Sequence, residues 1–380
     1  MDPNKKSLLK NDGFQSFLSS IVCILLGLLI GYIVLLFINP AGATKAILVI
    51  IKNFLKYPSY QAAMKYLGST LVKAAPLLLC SLSVLFSYKT GLFNIGAAGQ
   101  YAIGAGLCLY CALALRLPWF VCIVAAMLGG ALLGVISGIL KAFCNVNEVI
   151  SGIMLNWISL YVVNMMLTPV KEESSHYTMN IANVNKDALL PSLGLNALFA
   201  NNQYVTLALP LSVICAIVIF IILEKTKLGF ELRATGLNKD AAKYSGMAEK
   251  SNTVLTLAIG GALAALGASL FYLSGYEQWS VTSSSVPAMG FNGIAAAFLG
   301  GLSPVGAIFS SFFIQHITEG GAYVDKTMYC SQISDLISSI IIYLCGFVLF
   351  MKHFMNNMLQ KSENKKALKA ASENKEGGEE

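Results

Sequence analysis

Gly91-Leu92-Phe93-Asn94-Ile95-Gly96-Ala97-Ala98-Gly99-Gln100-Tyr101-Ala102-Ile103-Gly104 decides how this chain must be read. Glycines, an asparagine and a glutamine stand here between two strongly apolar runs. Inside hydrocarbon, backbone and amide groups need partners from the protein itself or a water-lined cavity. The stretch therefore reads as a packed or broken element beside a polar path.

Working outward, the composition sets the class. The chain is 56% hydrophobic and 12% charged, whereas an ordinary soluble domain carries about 25% charged residues. Apolar runs of about 17–23 residues recur along most of the chain, each long enough to cross a bilayer. The expected fold is an all-α polytopic membrane protein with about ten transmembrane helices embedded in the lipid bilayer. The net charge of +7 lies in tails and loops, so it reports orientation and not nucleic-acid binding. Most of the cysteines lie inside apolar runs and suggest no disulfide framework. Cys108 and Cys111 read as small residues on one helix face.

The chain divides into an N-terminal segment (1–16), a membrane domain (17–351) and a charged tail (352–380). The tail's composition predicts disorder. A first span covers 17–38. Residues 45–57 form an amphipathic segment with Lys45, Lys52 and Lys56 on one side, as in a helix lying in the membrane interface. Spans follow over 70–88, from the opening stretch to 115, and over 118–140. The last of these carries Gly129-Gly130, Gly134 and Gly138, a spacing that lets two helix backbones approach closely. A fifth span opens at Asn147-Glu148 and ends near 168. A polar loop and a sixth span over 204–223 come next.

Residues 224–250 are the most charged internal segment. Asn238 suits the N-cap of a short helix through Tyr244, and Gly246 suits the position just past its end. A seventh span covers 251–273. After a polar loop come Phe291-Asn292-Gly293-Ile294-Ala295-Ala296, two short apolar pieces broken at Gly300-Gly301-Leu302-Ser303-Pro304, and a last span over 332–351. Lysine and arginine bias places both termini and the 224–250 loop in the cytoplasm. Phe93-Asn94-Ile95-Gly96-Ala97-Ala98 and Phe291-Asn292-Gly293-Ile294-Ala295-Ala296 read either as an inverted repeat with broken helices or as coincidence. Under this topology the first copy starts at the cytoplasmic end of a span and the second at the outer end.

The opening stretch resembles the signature of bacterial ABC-transporter permeases of the branched-chain amino acid, simple-sugar and nucleoside superfamily, nearest the nucleoside and simple-sugar subgroup. Asn147-Glu148-Val149-Ile150-Ser151 with Met154-Leu155-Asn156 resembles a second motif of that subgroup. A third match is Arg233-Ala234-Thr235-Gly236 with Asn238, Ala241-Ala242, Tyr244 and Gly246, and a fourth runs from Phe291 to Gly306. These cover roughly residues 70–310 in the family's order. Ala98 departs from the pattern, which usually has Glu at that place.

The resemblance implies a permease subunit in a bacterial plasma membrane, for nucleosides or for simple sugars such as ribose or galactose. It also implies a second permease (another chain or a copy of this one), a cytoplasmic ABC ATPase and an extracytoplasmic solute-binding protein. ATP and Mg would be bound by the ATPase, and no cofactor is expected on this chain, which lacks any G-x-x-x-x-G-K-[ST] sequence. The helix 239–244 would couple to the ATPase. Its small face (Ala241, Ala242) would seat in a groove, with Arg233, Lys239, Asp240 and Lys243 at the rim. A small neutral solute would be recognised by amide and aromatic side chains: Asn94, Gln100, Asn156, Trp157, Asn164 and Asn292. Interhelical hydrogen bonding is the competing reading for each. Glu148 reads as structural or gating, and Gln315 and His316 as packing residues. A secondary transporter or channel would explain broken helices equally well but needs no charged docking loop. An intramembrane enzyme is disfavoured, since His176, His316 and His353 are far apart in sequence and no span carries paired carboxylates.

Overall fold

The computed structural model describes residues 12–325, 327–329 and scattered positions between 336 and 358. The helices are α1 (Asp12–Ile38), α2 (Pro40–Lys52), α3 (Tyr60–Lys89), α4 (Ala97–Leu113), α5 (Trp119–Cys144) and α6 (Glu148–Leu167). After a long loop come α7 (Ala208–Lys225), α8 (Lys227–Leu237), α9 (Lys239–Tyr244), α10 (Glu249–Tyr272), α11 (Ala288–Leu299) and α12 (Pro304–Gly321). Among the described residues there is no β-strand, only isolated bridges at Lys171–Thr178 and Tyr177–Ser280. The span expected over 332–351 and the tail beyond it fall largely outside the described residues.

Six of these helices are long and apolar enough to cross a membrane, and the chain is a multi-pass membrane protein. They divide into two kinds. The apolar windows of α3 and α10 are 83% and 72% buried within the protein, against 22–33% for the other four. Helices α3 and α10 are therefore the central pillars, and α1, α5, α6 and α7 turn apolar faces outward. Gly130, Gly134 and Gly138 of α5 lie against Gly261, Leu257 and Val254 of α10, antiparallel, and a Cβ on Gly134 would collide with the Leu257 carbonyl. Lipid tails are as apolar as leucine, so close van der Waals contact of this kind holds such helices together. The four-residue glycine spacing predicted this seam.

The amphipathic segment forms α2 and a 3-10 turn, Asn53–Lys56. Its lysines are exposed, but its inner face does more than rest on an interface. Gly42, Ala43, Ala46 and Ile50 are buried, and Gly320 of α12 crosses directly over the Ile50 carbonyl. Asn53 ties this corner by donating to the His316 carbonyl at 2.9 Å.

Two ends of the bundle can be told apart. The charged end carries α8 and α9; there Lys89 at the end of α3 pairs with Glu224 at 3.0 Å, and Lys141 of α5 pairs with Glu148 of α6 at 2.6 Å. The opposite end carries the long loop 168–207. Helix α4 does not start at either end. Its Gly99 amide is held by Asn156, a residue about 12 Å along α6 from Glu148 at 1.5 Å per residue. Residues 92–96 thread to that depth without helix. Helix α11 likewise starts inside: Gly290 backs onto Ala98 and Gly293 onto Cys80 of α3. From there α11 runs toward the charged end, where Phe298 meets Tyr88 with ring centroids 5.2 Å apart. The two sequence-similar segments thus belong to helices of opposite direction, as an inverted arrangement requires, the first leading into α4 and the second lying within α11. The expected start at the outer end needs correction for the second copy: Phe93 follows Gly91, which lies on Gly236 at the charged end, whereas Phe291 follows Gly290, which lies at mid-depth against Ala98.

Candidate functional site

A helix that begins inside a membrane protein must find partners for its first amide groups. At α4 the chain supplies them with side chains. Asn156 Oδ1 accepts from the Gly99 amide at 2.7 Å, and its Nδ2 donates to the Ile95 carbonyl at 3.1 Å. Asn94 Nδ2 donates to Ser83 Oγ at 3.0 Å and to Gln100 Oε1 at 2.8 Å. All three residues are buried. The structure thus gathers Asn94, Gln100 and Asn156 into one network that ties down the break. Ala98 is fully buried, and the Gly290 backbone lies against its main chain and Cβ. The alanine thus packs where the two helix starts meet.

At α11 the arrangement is open. Pro287 occupies the N-cap without a side-chain hydrogen bond to the helix. A cavity of about 390 Å³ reaches from the opposite end down to Pro287, Ala288 and Met289. One wall is aromatic: Tyr101 and Tyr272 have centroids 6.4 Å apart, and Tyr272 and Trp279 are 5.9 Å apart. Neither Tyr101 nor Tyr272 has a hydroxyl hydrogen bond among the described residues. Glu277, Gln278, Ser280, Ser283 and Ser285 supply polar lining.

Asn164 stands behind this wall. Its Oδ1 accepts from Trp279 Nε1 and its Nδ2 donates to the Ser283 carbonyl, both at 2.9 Å. It positions the lining and does not form it. Asn292 is half-buried and makes no side-chain hydrogen bond among the described residues. Trp157 lies elsewhere, on the exposed outer face of α6, stacked on Tyr161 at 6.4 Å. Sequence reasoning missed Tyr101, Tyr272, Glu277 and Trp279. The available signal was a tryptophan and a glutamate between Tyr276 and a serine-rich run, inside a stretch read only as a polar loop.

Glu277 is the charged member of the lining. Its side chain is exposed to the cavity, yet desolvation by the surrounding protein pushes its carboxyl above the usual carboxylate range; Lys73 opposes this and Glu319 adds to it. Lys73 itself pairs with Glu319 at 2.6 Å and lies 5.2 Å from the centre of the Tyr276 ring.

At the charged end, Asn238 caps α9 by accepting from the Ala241 amide at 3.0 Å, and Gly246 has the positive φ of 80° expected past the helix end. The small face is split: Ala242 is buried beneath the chain's own elements while Ala241 is exposed. Arg233 is drawn inward to Glu224 at 3.0 Å, so it does not stand at the rim. Lys239, Asp240 and Lys243 are exposed, and two apolar side chains project beyond them, Leu237 at 89% and Tyr244 at 93% exposure. Gly236, at the end of α8, sits backbone against backbone on Thr90 and Gly91, and Gly91 has a φ of 77°. The charged loop thus touches the opening stretch directly.

A family model described as branched-chain amino acid transport system / permease component matches residues 66–346. The nucleoside ABC transporter permease protein NupB of Lactococcus lactis is 32% identical, covering 97% of this chain and 99% of that protein. The guanosine ABC transporter permease protein NupP of Bacillus subtilis is 30% identical over 79% of this chain and 86% of its own length. The glucose ABC transporter permease protein TsgB13 of Haloferax volcanii is 30% identical over 68% and 70%. No solved structure matches the chain significantly.

Proposed function

The chain belongs to the family of permease components of the branched-chain amino acid transport type, and from that premise we propose that it is the membrane subunit of an ATP-driven importer of nucleosides. The observation that carries the solute class is the aromatic cavity above α11. Tyr101, Tyr272 and Trp279 line it with tilted, largely buried rings beside the Glu277 carboxylate. Stacking of a base on such rings contributes about 1–3 kcal/mol per base. The end-to-end similarity to a nucleoside permease supports the same reading. A simple sugar is the second reading, favoured by Ser280, Ser283 and Ser285 in the lining and by the glucose permease relative.

In this reading both termini and the charged end face the cytoplasm of a bacterial cell, and the cavity opens outward to receive solute from a binding protein. Leu237 and Tyr244 enter a cleft of the ATPase, with Lys239, Asp240 and Lys243 around them, while a second permease completes the pathway. ATP and Mg are bound by the ATPase. Movement of α8 passes through Gly236 to Gly91 and on to the α4 break.

The test is reconstitution of the complete importer in liposomes with its binding protein. ATP-dependent uptake of guanosine or adenosine, not competed by ribose, galactose or glucose, is the expected result. Leu237→Ala with Tyr244→Ala should lower that uptake at least about tenfold, since interface anchors of this kind are worth about 2 kcal/mol or more, while the thermal midpoint stays put. Uptake that persists without ATPase would point instead to a secondary transporter or channel, and competition by sugars to the second reading.

A further inference from the structure

Glu277 carries more than a place in the lining. Other cavity-lining groups are neutral, and no hydrogen bond or ion pair reaches its carboxylate among the described residues. The neighbouring cation is already engaged, since Lys73 holds Glu319 at 2.6 Å. The adjacent Gln278 is engaged too, donating to Glu172 at 3.1 Å and to the Thr178 carbonyl at 2.8 Å. Two carboxylate oxygens with free lone pairs therefore stand at the edge of an aromatic wall, open to whatever enters.

An ionised carboxylate only accepts hydrogen bonds, and its two oxygens are matched best by two adjacent donors. On a nucleoside, two groups present such a pair: the N1–H and N2–H edge of guanine and the vicinal 2′,3′-diol of ribose. The corresponding edge of adenine places an acceptor beside its donor and would meet the carboxylate with a lone pair. Resting on the nucleoside reading above, we infer that Glu277 is a specificity-determining acceptor that selects solutes offering two adjacent N–H or O–H donors. Glu277 is exposed to the cavity, so a donor pair exchanges hydration of the carboxylate for hydrogen bonds matched to both oxygens.

The test uses the complete importer in liposomes with four probes: guanosine, adenosine, 2′,3′-dideoxyguanosine and 2′,3′-dideoxyadenosine. The last carries neither donor pair. Glu277→Gln should lower kcat/KM for the donor-bearing probes by about 10- to 100-fold, the size expected for hydrogen bonds to a charged acceptor, and leave dideoxyadenosine unchanged. Loss confined to the two guanine probes supports the inference and assigns the base edge. Loss for guanosine and adenosine, with both dideoxy forms spared, supports it and assigns the diol. Equal loss for all four, or loss for none, overturns it while the nucleoside reading stands. Should the wild-type importer carry none of the four, the nucleoside reading falls and takes the inference with it. If the Gln variant does not accumulate, Glu277→Asp decides. That variant keeps the charge and withdraws the oxygens by one methylene. It must shift the ratio of guanosine to dideoxyadenosine uptake, and an unchanged ratio overturns the inference.

Discussion

Two helix N-termini meet at mid-depth in this protein, and they are finished differently. At α4 the first turn is closed: Asn156 binds the Gly99 amide and the Ile95 carbonyl, and Asn94 binds Ser83 and Gln100. At α11 the first turn begins at an uncapped proline and borders a cavity. The two similar strings sit differently: residues 93–96 precede α4, whereas residues 291–296 lie inside α11, which opens at Ala288. The neighbours differ too: α6 presents an asparagine to α4, whereas the loop before α11 presents aromatic rings and open space. At these two termini the surroundings decide whether the helix start is sealed by side chains or left beside open space.

The comparison can be attacked where the two termini touch. Gly290→Val places a branched side chain against the Ala98 main chain, where no flexible neighbour can yield. The penalty should lie at or above the upper end of the usual overpacking range of about 1–3 kcal/mol. Folded protein recovered from membranes should fall sharply, as size-exclusion chromatography in detergent would measure. Asn156→Ala comes next. It orphans a buried amide and a buried carbonyl, at about 1–3 kcal/mol each before any relaxation, so thermal unfolding of the solubilised protein should shift down clearly. Asn292→Ala should have the smallest effect on stability, within about 0.5 kcal/mol, because its side chain has no hydrogen bond to lose among the described residues. A drop in stability equal to that of Asn156→Ala would mean that the second terminus is sealed as well, and the contrast would collapse.

Much of the membrane scaffold was readable from the sequence, for local reasons. Gly130, Gly134 and Gly138 announce a close seam because four-residue spacing puts them on one helix face, and α10 lies against that face. Asn238 and Gly246 mark the limits of α9 because capping depends only on nearby backbone. Pairings between distant segments were not readable. Asn94 reaches Gln100 only because residues 92–96 leave the helix, and Arg233 turns inward because Glu224 sits at the end of a different helix. The cavity is the extreme case. Its wall depends on Trp279 binding Asn164 of α6 and on Thr178 pairing with Trp279 from another loop, and no periodicity encodes contacts of that kind. The same dependence explains why amide residues stood out as candidates: their chemistry is visible in a sequence, whereas the orientation of a tyrosine or tryptophan is not.

The contact of Gly236 with Thr90 and Gly91 has a mechanical consequence. A joint made through side chains can take up small displacements by changing rotamers, so part of any applied motion is lost as slack. Here backbone lies against backbone with no side chain between them, so the joint itself has no rotamers to change. A displacement of α8 at Gly236 therefore meets the backbone at Thr90 and Gly91 directly. Any side chain larger than hydrogen at either glycine would act as a spacer that forces the two segments apart.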